Sequence, residues 1–520
     1  MSRRSLARVL GALGLLTAAT AVPLRAARAQ GPALSEEAWP FSFERLIDQA
    51  RLQAQQAYAP PPPPPDIVAE LPFDQYRAIR YRPEHAIWAG SPSYQLQPFH
   101  LGSHFRQPVR LHLVTDGTAR RILYHPDLFD FGGNPIREAL PAGLDFSGFG
   151  VHYPLHGPDR LDELLAFQGA SYFRALGKGT RYGLSARGLA LNTGLGRPEE
   201  FPAFTDFWIV RPNEPFDPLT IYALLDSPSV VGAYRFDVAA RDRTFMSVDT
   251  SLFFRADVEQ VGIAPLTSMY YFGSNDRAGI DDWRPAVHNS GGLSVWRGGG
   301  ELVWRPLTNP AALRISVFAD DNPRGFGLLQ RDRAFDSYQD LQNRYDLRPN
   351  LWVAPKGAWG SGSVRLIEIP TPDESHDNIV AFWTPASAVT AGQELRFAYD
   401  LVWSLPPPLA PGTAEVAATL VGAASRSVDG DLRTQSRHVE IEFGATPTAN
   451  GQAEVRPEVL LECRNGTCSE ALLLRNEVTG GWRVSFEVAA QGRGPIEMRC
   501  YLTQGGDRLS ETWLYRTDDT

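Results

Sequence analysis

The sequence predicts an all-β protein made of two antiparallel sandwiches, a large one over residues 67–404 and an immunoglobulin-like one over residues 412–520. Three observations carry that expectation. Apolar residues alternate at every second position, as in Val109, Leu111 and Leu113, in Leu313, Ile315 and Val317, and in Leu395, Phe397, Tyr399, Leu401 and Trp403. That is the period of a strand with one face buried. Turn formers abound, with 46 Gly and 42 Pro in 520 residues, as a chain of many short strands requires. The Pro-rich run at residues 405–411 then breaks the pattern and reads as a linker. Beyond it the alternation is strict again, through Val439, Ile441 and Phe443, through Trp482 to Val488, and through Ile496 to Leu502. No internal repeat of propeller period is present.

The N-terminus reads as an export signal. Arg3 and Arg4 form a twin-arginine pattern, Val9 to Val22 is weakly apolar, and Ala27-Arg28-Ala29 is a small-residue cleavage site, so the mature chain is expected to begin at Gln30. Residues 1–29 are thus a signal peptide and the destination is the periplasm. Residues 30–66 follow as a helix and spacer. Phe43, Leu46, Ile47, Ala50, Ala54 and Ala57 fall at helical spacing behind Ser42, a suitable N-cap, so a helix is expected over 42–58. Pro60 to Pro65 then form a stiff connector.

Removing residues 1–29 takes away five Arg and no acidic residue, which carries the formal charge from −9 to −14. Lys178 and Lys356 are the only lysines. So acidic a chain argues against nucleic acid or anionic lipid as a partner, since both need clustered cations. A neutral partner such as sugar fits better. Cys463 and Cys468 flank Asn465-Gly466, which reads as a type I′ hairpin bringing the two thiols face to face, close enough for a disulfide. Cys500 shares the apolar face of Ile496, Met498 and Leu502 and reads as a buried free thiol.

The chemistry-bearing stretch is Glu368 to Trp383. Glu368, Asp373, Glu374 and Asp377 are gathered in a short loop between the strand-like runs 363–369 and 379–383, and an acidic loop held by two strands is a sound place for proton transfer. Other chemistries lack their motifs. No phosphate-binding or dinucleotide-binding glycine pattern follows a strand, and Ser185 has Arg187 where a nucleophile elbow needs Gly. His152 and His156 do not share a face in β text, so neither metal nor cofactor is expected. Trp283, Trp296, Trp304, Trp352 and Trp359 sit in polar surroundings and suit stacking on sugar faces.

Five blocks then carry a family resemblance: Ser171 to Arg174, Tyr182 to Ala190, Tyr222 to Ser227, Asn322 to Gln330 and Asp377 to Val380. Together they resemble the periplasmic glucan biosynthesis proteins G and D, from about Phe41 to Tyr515, and the twin-arginine signal points to the D branch. The resemblance implies a galactose-mutarotase-like supersandwich followed by an immunoglobulin-like domain, and action on the β-1,2-glucan backbone. It implies Asp377 as general acid, Glu374 in the same site and Tyr345 as a proton relay. His288, Trp296, Trp304, Arg331, Trp359 and Arg187 are the expected substrate contacts. It also implies subunits that pair and an inner-membrane glucan synthase as a partner. One departure stands out. Where hydrolytic members carry an H-D-S-D motif with the general base, this chain reads His288-Asn289-Ser290-Gly291, and Asn289 cannot hold a proton. Three functions remain open: transglycosylation that closes a glucan ring, endo-hydrolysis with a displaced base such as Asp281 or Asp282, and glucan binding without chemistry.

Overall fold

The computed structural model describes residues 31–518 apart from 142, 409–411, 425–435, 447–455 and 492–493. The export signal and part of the proline linker lie outside the described residues. The fold is all-β. A sixteen-stranded sheet and a ten-stranded sheet face each other, and a five-stranded sheet covers one end of the larger.

The long central strands Val230–Ala240, Thr244–Phe254 and Glu394–Ser404 show how period-2 patterning builds the layers. Val230, Tyr234, Phe236 and Val238 point into the core between the sheets, with Tyr399, Leu401 and Trp403 beside them. Val231 and Ala233, on the other face of the same strand, pack under a helix instead. That helix runs Phe43–Ala54 behind Ser42, whose hydroxyl accepts the Arg45 N–H at 3.3 Å. Leu46 and Ala50 are its buried residues, and their burial stabilises the strap by roughly 1.5–3 kcal/mol for a leucine. It ends before the expected Tyr58 because Arg255, paired with Asp226 at 2.6 Å, donates to the Gln53 and Gln56 carbonyls at 3.1 and 3.0 Å. A cation thus takes up the carbonyls that another turn would have used.

The second, ten-stranded sheet runs from strand Arg314–Asp321 through Ser361–Glu368, Ile379–Pro385 and Val261–Ser268 to Gln95–His100. Arg314–Asp321 is its edge, and there the expected inward set fails: Leu313 and Val317 are exposed. A single partner strand leaves the edge half uncovered, so Ile315 finds only the small cluster of Ala190, Ile367, Val380 and Phe382.

The C-terminal sandwich is not a separate bead. Strand Thr512–Thr517 pairs in parallel with Leu302–Pro306, matching Trp513 with Trp304, so the larger sheet runs on into the second sandwich. Its core joins Val439, Ile441, Phe443, Trp482, Phe486 and Met498 to Trp304, Leu329 and Trp352 of the first sandwich. Arg331 adds a buried ion pair to Glu511 at 2.6 Å. Cys463 and Cys468 are disulfide-bonded with their Cα atoms 6.2 Å apart, but the expected hairpin is absent. Strand Glu458–Arg464 pairs with Ile496–Gln504, while Gly466–Cys468 pairs with Gly481–Ala490 in the other sheet. Asn465 alone takes a left-handed φ of 59° there, where type I′ needs two such residues in a row. The disulfide therefore ties sheet to sheet. Cys500 is fully buried, and burial pushes its thiol well up.

Candidate active site

Residues 369–378 close a hairpin between strands Ser361–Glu368 and Ile379–Pro385, with Glu368 opposite Ile379. The next strand, Val261–Ser268, pairs Ser268 with Ile379, which sets the loop at one end of the smaller sheet beside residues 269–270. Asn378 fixes that end. Its side-chain oxygen accepts the Tyr270 N–H at 2.8 Å, and its amide donates to the Ile369 carbonyl at 3.1 Å. Asn309 grips Thr371 from the far side, donating to its carbonyl and accepting its N–H, both at 2.9 Å.

The four carboxylates of this loop meet four different environments. Glu368 is fully buried, accepts from the Thr308 N–H and hydroxyl at 2.7 and 2.8 Å, and faces Arg305 and Arg314 at 3.7 and 3.9 Å. Asp373 shapes the turn; burial opposes its charge, but hydrogen bonds from Ser375 and His376 hold its carboxyl below the ordinary range. Glu374 pairs with Arg284 at 2.6 Å. Asp377 makes no hydrogen bond or ion pair with the described residues and keeps part of its surface accessible. Burial nonetheless raises its pKa to about 6, against the opposing charges of Arg174, His376 and Arg348. The carboxyl is thus crowded by protein yet keeps an accessible edge, and its raised pKa poises it to carry a proton near neutrality.

Arg284 organises the neighbouring loops, pairing with Asp282 at 2.8 Å, Asp340 at 3.1 Å and Glu374 at 2.6 Å. Asp340 in turn accepts the Gln342 and Asn343 N–H groups at 2.9 and 2.8 Å, which sets up the turn before Tyr345. Arg344 is held there at a left-handed φ of 48°, locked by Asp346 at 2.9 and 2.7 Å. Such a conformation costs a non-glycine residue energy and clusters at working sites. Tyr345 is buried, and burial followed by the Glu374 charge pushes its phenol well above the ordinary range.

Asn289 lies across residues 268–270 from the acidic loop. Its N–H donates to the Met269 carbonyl at 2.8 Å, and its side-chain oxygen is buried without a partner among the described residues. Beside it His288 stacks on Tyr270, ring centres 5.2 Å apart, and burial lowers its pKa to about 4, so it is neutral at pH 7. Asp282 is a poor substitute base. Bonds from Arg284 keep it below the ordinary carboxylate range, although burial opposes them.

The structure brings Asp377, Glu374, Tyr345, His288 and Asn289 into one region, and it disperses most of the expected sugar contacts. Trp304 is buried against the C-terminal sandwich, its ring flat over Gly292, where a Cβ would meet it at 2.2 Å. Arg331 stacks on that ring at 3.6 Å and is spent on Glu511. Trp296 is partly buried in the same packing. Trp359 is 7 % exposed and packs on Trp383, Phe397 and Tyr399. Arg187, 2 % exposed, pairs with Glu199 at 2.9 Å and lies on Tyr172, so it buttresses a ring near Asp377 without reaching a ligand. Buried rings cannot stack on a sugar, so Trp304 and Trp359 offer no face to one. Trp283 is 72 % exposed, with the Arg284 guanidinium 5.8 Å from its ring.

Sequence reasoning did not single out Arg174, Arg348, Arg284 or Asn378. Arg174 stood in a resemblance block and Asn378 follows Asp377, but only the fold shows which charges converge. Desolvation raises the Asp377 pKa, while Glu374 is held by Arg284 at 2.6 Å. Among the described residues no cluster of three or more His, Cys, Asp or Glu could hold a metal ion.

The family model described as periplasmic glucan biosynthesis protein, MdoG, matches residues 41–517. Glucans biosynthesis protein D 1 of Ralstonia nicotianae is 45% identical, covering 99% of this chain and 98% of the relative. Glucans biosynthesis protein D of Stenotrophomonas maltophilia is 45% identical, over 92% of this chain and 90% of its own. Glucans biosynthesis protein G of Shewanella frigidimarina is 43% identical, over 92% and 84%. The D and G names fall so close together that identity does not separate them. The chain belongs to the periplasmic glucan biosynthesis protein family.

Proposed function

We propose that this chain takes part in glucan biosynthesis in the periplasm and acts there on the β-1,2-glucan backbone as an inverting glycosyl-transfer enzyme. Asp377 is its general acid. The observation that carries this reading is the accessible yet desolvated Asp377 carboxyl, with its pKa raised to about 6; the resemblance adds that Asn289 stands where hydrolytic members carry the base. Glucan synthesis in the names of the relatives supports the substrate class, and the twin-arginine pattern supports the compartment and the D branch.

In the proposed reaction the Asp377 carboxyl protonates the glycosidic oxygen as the C1–O bond breaks. A hydroxyl of another glucose unit attacks C1 from the opposite face, its proton passes to solvent, and Asp377 regains one from solvent. A β-bond is thereby exchanged for an α-bond. When donor and acceptor belong to one chain, the product is a ring, and the reducing-end portion departs as a shorter linear glucan. Glu374, fixed by Arg284, and Tyr345 shape the acid's side of the cleft, and Trp283 offers a stacking face.

A second reading, hydrolysis, has one observation in its favour. Asp332 is an exposed carboxylate whose charge reaches His288, beside Asn289. The test is to incubate the mature protein with linear β-1,2-glucan and resolve the products by mass. Products lighter by one water than linear glucans of the same number of units support ring closure. Short reducing oligomers with no such rings beside them would overturn it in favour of hydrolysis, and an unchanged profile with retained binding would leave a glucan-handling accessory.

A further inference from the structure

The larger sheet carries a second concave surface on the face turned away from the smaller sheet. Along one flank of helix Phe43–Ala54 runs a groove of about 610 Å³, inside the range of small-molecule sites, about 300–1,000 Å³. Twelve helical residues make it ~18 Å long at 1.5 Å per residue, room for a few pyranose rings in line. At its closed end Phe41 stacks on Trp208, centroids 5.0 Å apart at 15°, and Trp39 stands beside them, partly exposed. Trp208 is 4 % exposed, and its indole N–H has no partner among the described residues. A buried donor left open costs free energy unless a ligand or water meets it.

The flank itself is lined by Gln49 and Gln53, one turn apart on the same side of the helix, and by Gln56, two residues past its last turn. Gln53 donates to Asp226 at 2.7 Å, leaving its carbonyl to accept. Gln49 and Gln56 are exposed. Amides beside the partly exposed rings of Trp39 and Phe41 match the hydroxyls and C–H faces of a neutral sugar; Trp208 lies between Phe41 and His112 and adds only its open N–H. An anion would meet Arg45 alone among the lining cations, beside the carboxylates of Asp48 and Asp226, because Arg255 is committed to Asp226 at 2.6 Å. A peptide adding to the sheet edge fits poorly as well, since the edge strand Trp39–Pro40 is two residues long and its proline has no N–H to offer.

We propose that this groove is a second binding site for a neutral gluco-oligosaccharide, separate from the Asp377 cleft, which holds one part of a long glucan while another part is worked on. It rests on the glucan reading given above. A polymer held at two places reaches the cleft at a raised local concentration.

The test is native mass spectrometry of the mature protein with a linear β-1,2-gluco-oligosaccharide, on wild type, Gln49→Ala/Gln56→Ala and Trp283→Ala. Both glutamine side chains are exposed, Gln49 on the helix and Gln56 just past its end, so the thermal melt should not move. Two bound oligosaccharides are expected in wild type and one in each variant, with helix-site affinity down at least fivefold. A single bound oligosaccharide, lost in Trp283→Ala and untouched in the glutamine pair, would overturn the second site and leave the glucan reading standing. Two that both survive the glutamine changes would also overturn it. No binding in any form would overturn both.

Discussion

Replacing Asp377 with Asn should remove the chemistry and, at neutral pH, make the protein more stable. The carboxyl has an ordinary value of 3.8 in the unfolded chain and about 6 in the folded one, with burial as the leading cause. A folded-state value raised in this way means that the native state binds the proton more tightly. The stability this confers is complete below pH ~4 and is lost as pH rises through 6, because the folded chain must then hold a desolvated charge. At ~1.4 kcal/mol per unit the penalty at pH 7 is at most about 3 kcal/mol, and less to the extent that water reaches the accessible edge. Asn cannot ionise, so it escapes that penalty. For a chain of 520 residues, an unfolding entropy of ~2.1 cal/mol/K per residue converts the difference to about 1–3 °C in Tm. The assay is a pair of calorimetric scans, wild type against Asp377→Asn, at pH 7 and pH 4. The gap should be present at pH 7 and close at pH 4. A variant that melts at or below wild type at both pH values would refute the desolvated acid. The same shift predicts an alkaline limb near pH 6 in the activity profile, with roughly a tenth of the acid still protonated at pH 7.

Asn289→Asp restores a carboxylate where hydrolytic relatives are expected to keep one and should raise the hydrolysis-to-transfer ratio; product mass spectra check it, and an unchanged ratio means the base lies elsewhere. Trp283→Ala should leave stability within about 0.5 kcal/mol, as expected at an exposed position, while weakening glucan binding about fivefold or more by titration calorimetry. Arg284→Met leaves Asp282, Asp340 and Glu374 without their shared cation and should cost roughly 1–3 kcal/mol in a denaturant melt, along with most of the activity. Breaking the Cys463–Cys468 bond with a double Ser variant should cost about 2 kcal/mol by the chain-entropy relation for a short loop, and reductant should lower the wild-type melt to match.

What the sequence made legible follows from period. Alternation located Glu394–Ser404, Gly481–Ala490 and Ile496–Gln504 with their inward residues right, because each has both neighbours and a covered face. It misjudged Leu313 and Val317, since period 2 names a face without saying whether another layer covers it. The same gap explains the tryptophans. Trp304 and Trp283 stand in similar polar text, yet one lies beneath a sheet contributed from residues over a hundred positions away. A cue was present in the cross-strand glycines: Gly292 and Gly325 are bare so that Trp304 and Trp352 can lie across them, which marks buried rings. The Asn465-Gly466 pair read as a hairpin because the turn rule is local, whereas strand Glu458–Arg464 finds its partner in the other sheet.

The site's asymmetry bears on which reaction it favours. General-base help is worth about 10²–10⁴-fold, and a base aids water chiefly by holding and polarising it. Take the base away and water keeps only its bulk concentration of a few tens of molar, whereas a glucan hydroxyl bound in line can act at an effective concentration orders of magnitude higher. Loss of one carboxylate therefore slows hydrolysis more than transfer, provided the acceptor is held. That condition falls on binding surfaces, not on the acid: on Trp283 at the rim and on whatever restrains the rest of the polymer. An enzyme with a single poised proton donor gains selectivity from its grip on the acceptor, so changes at Trp283 should shift the transfer-to-hydrolysis ratio, whereas changes at Asp377 should scale both products together.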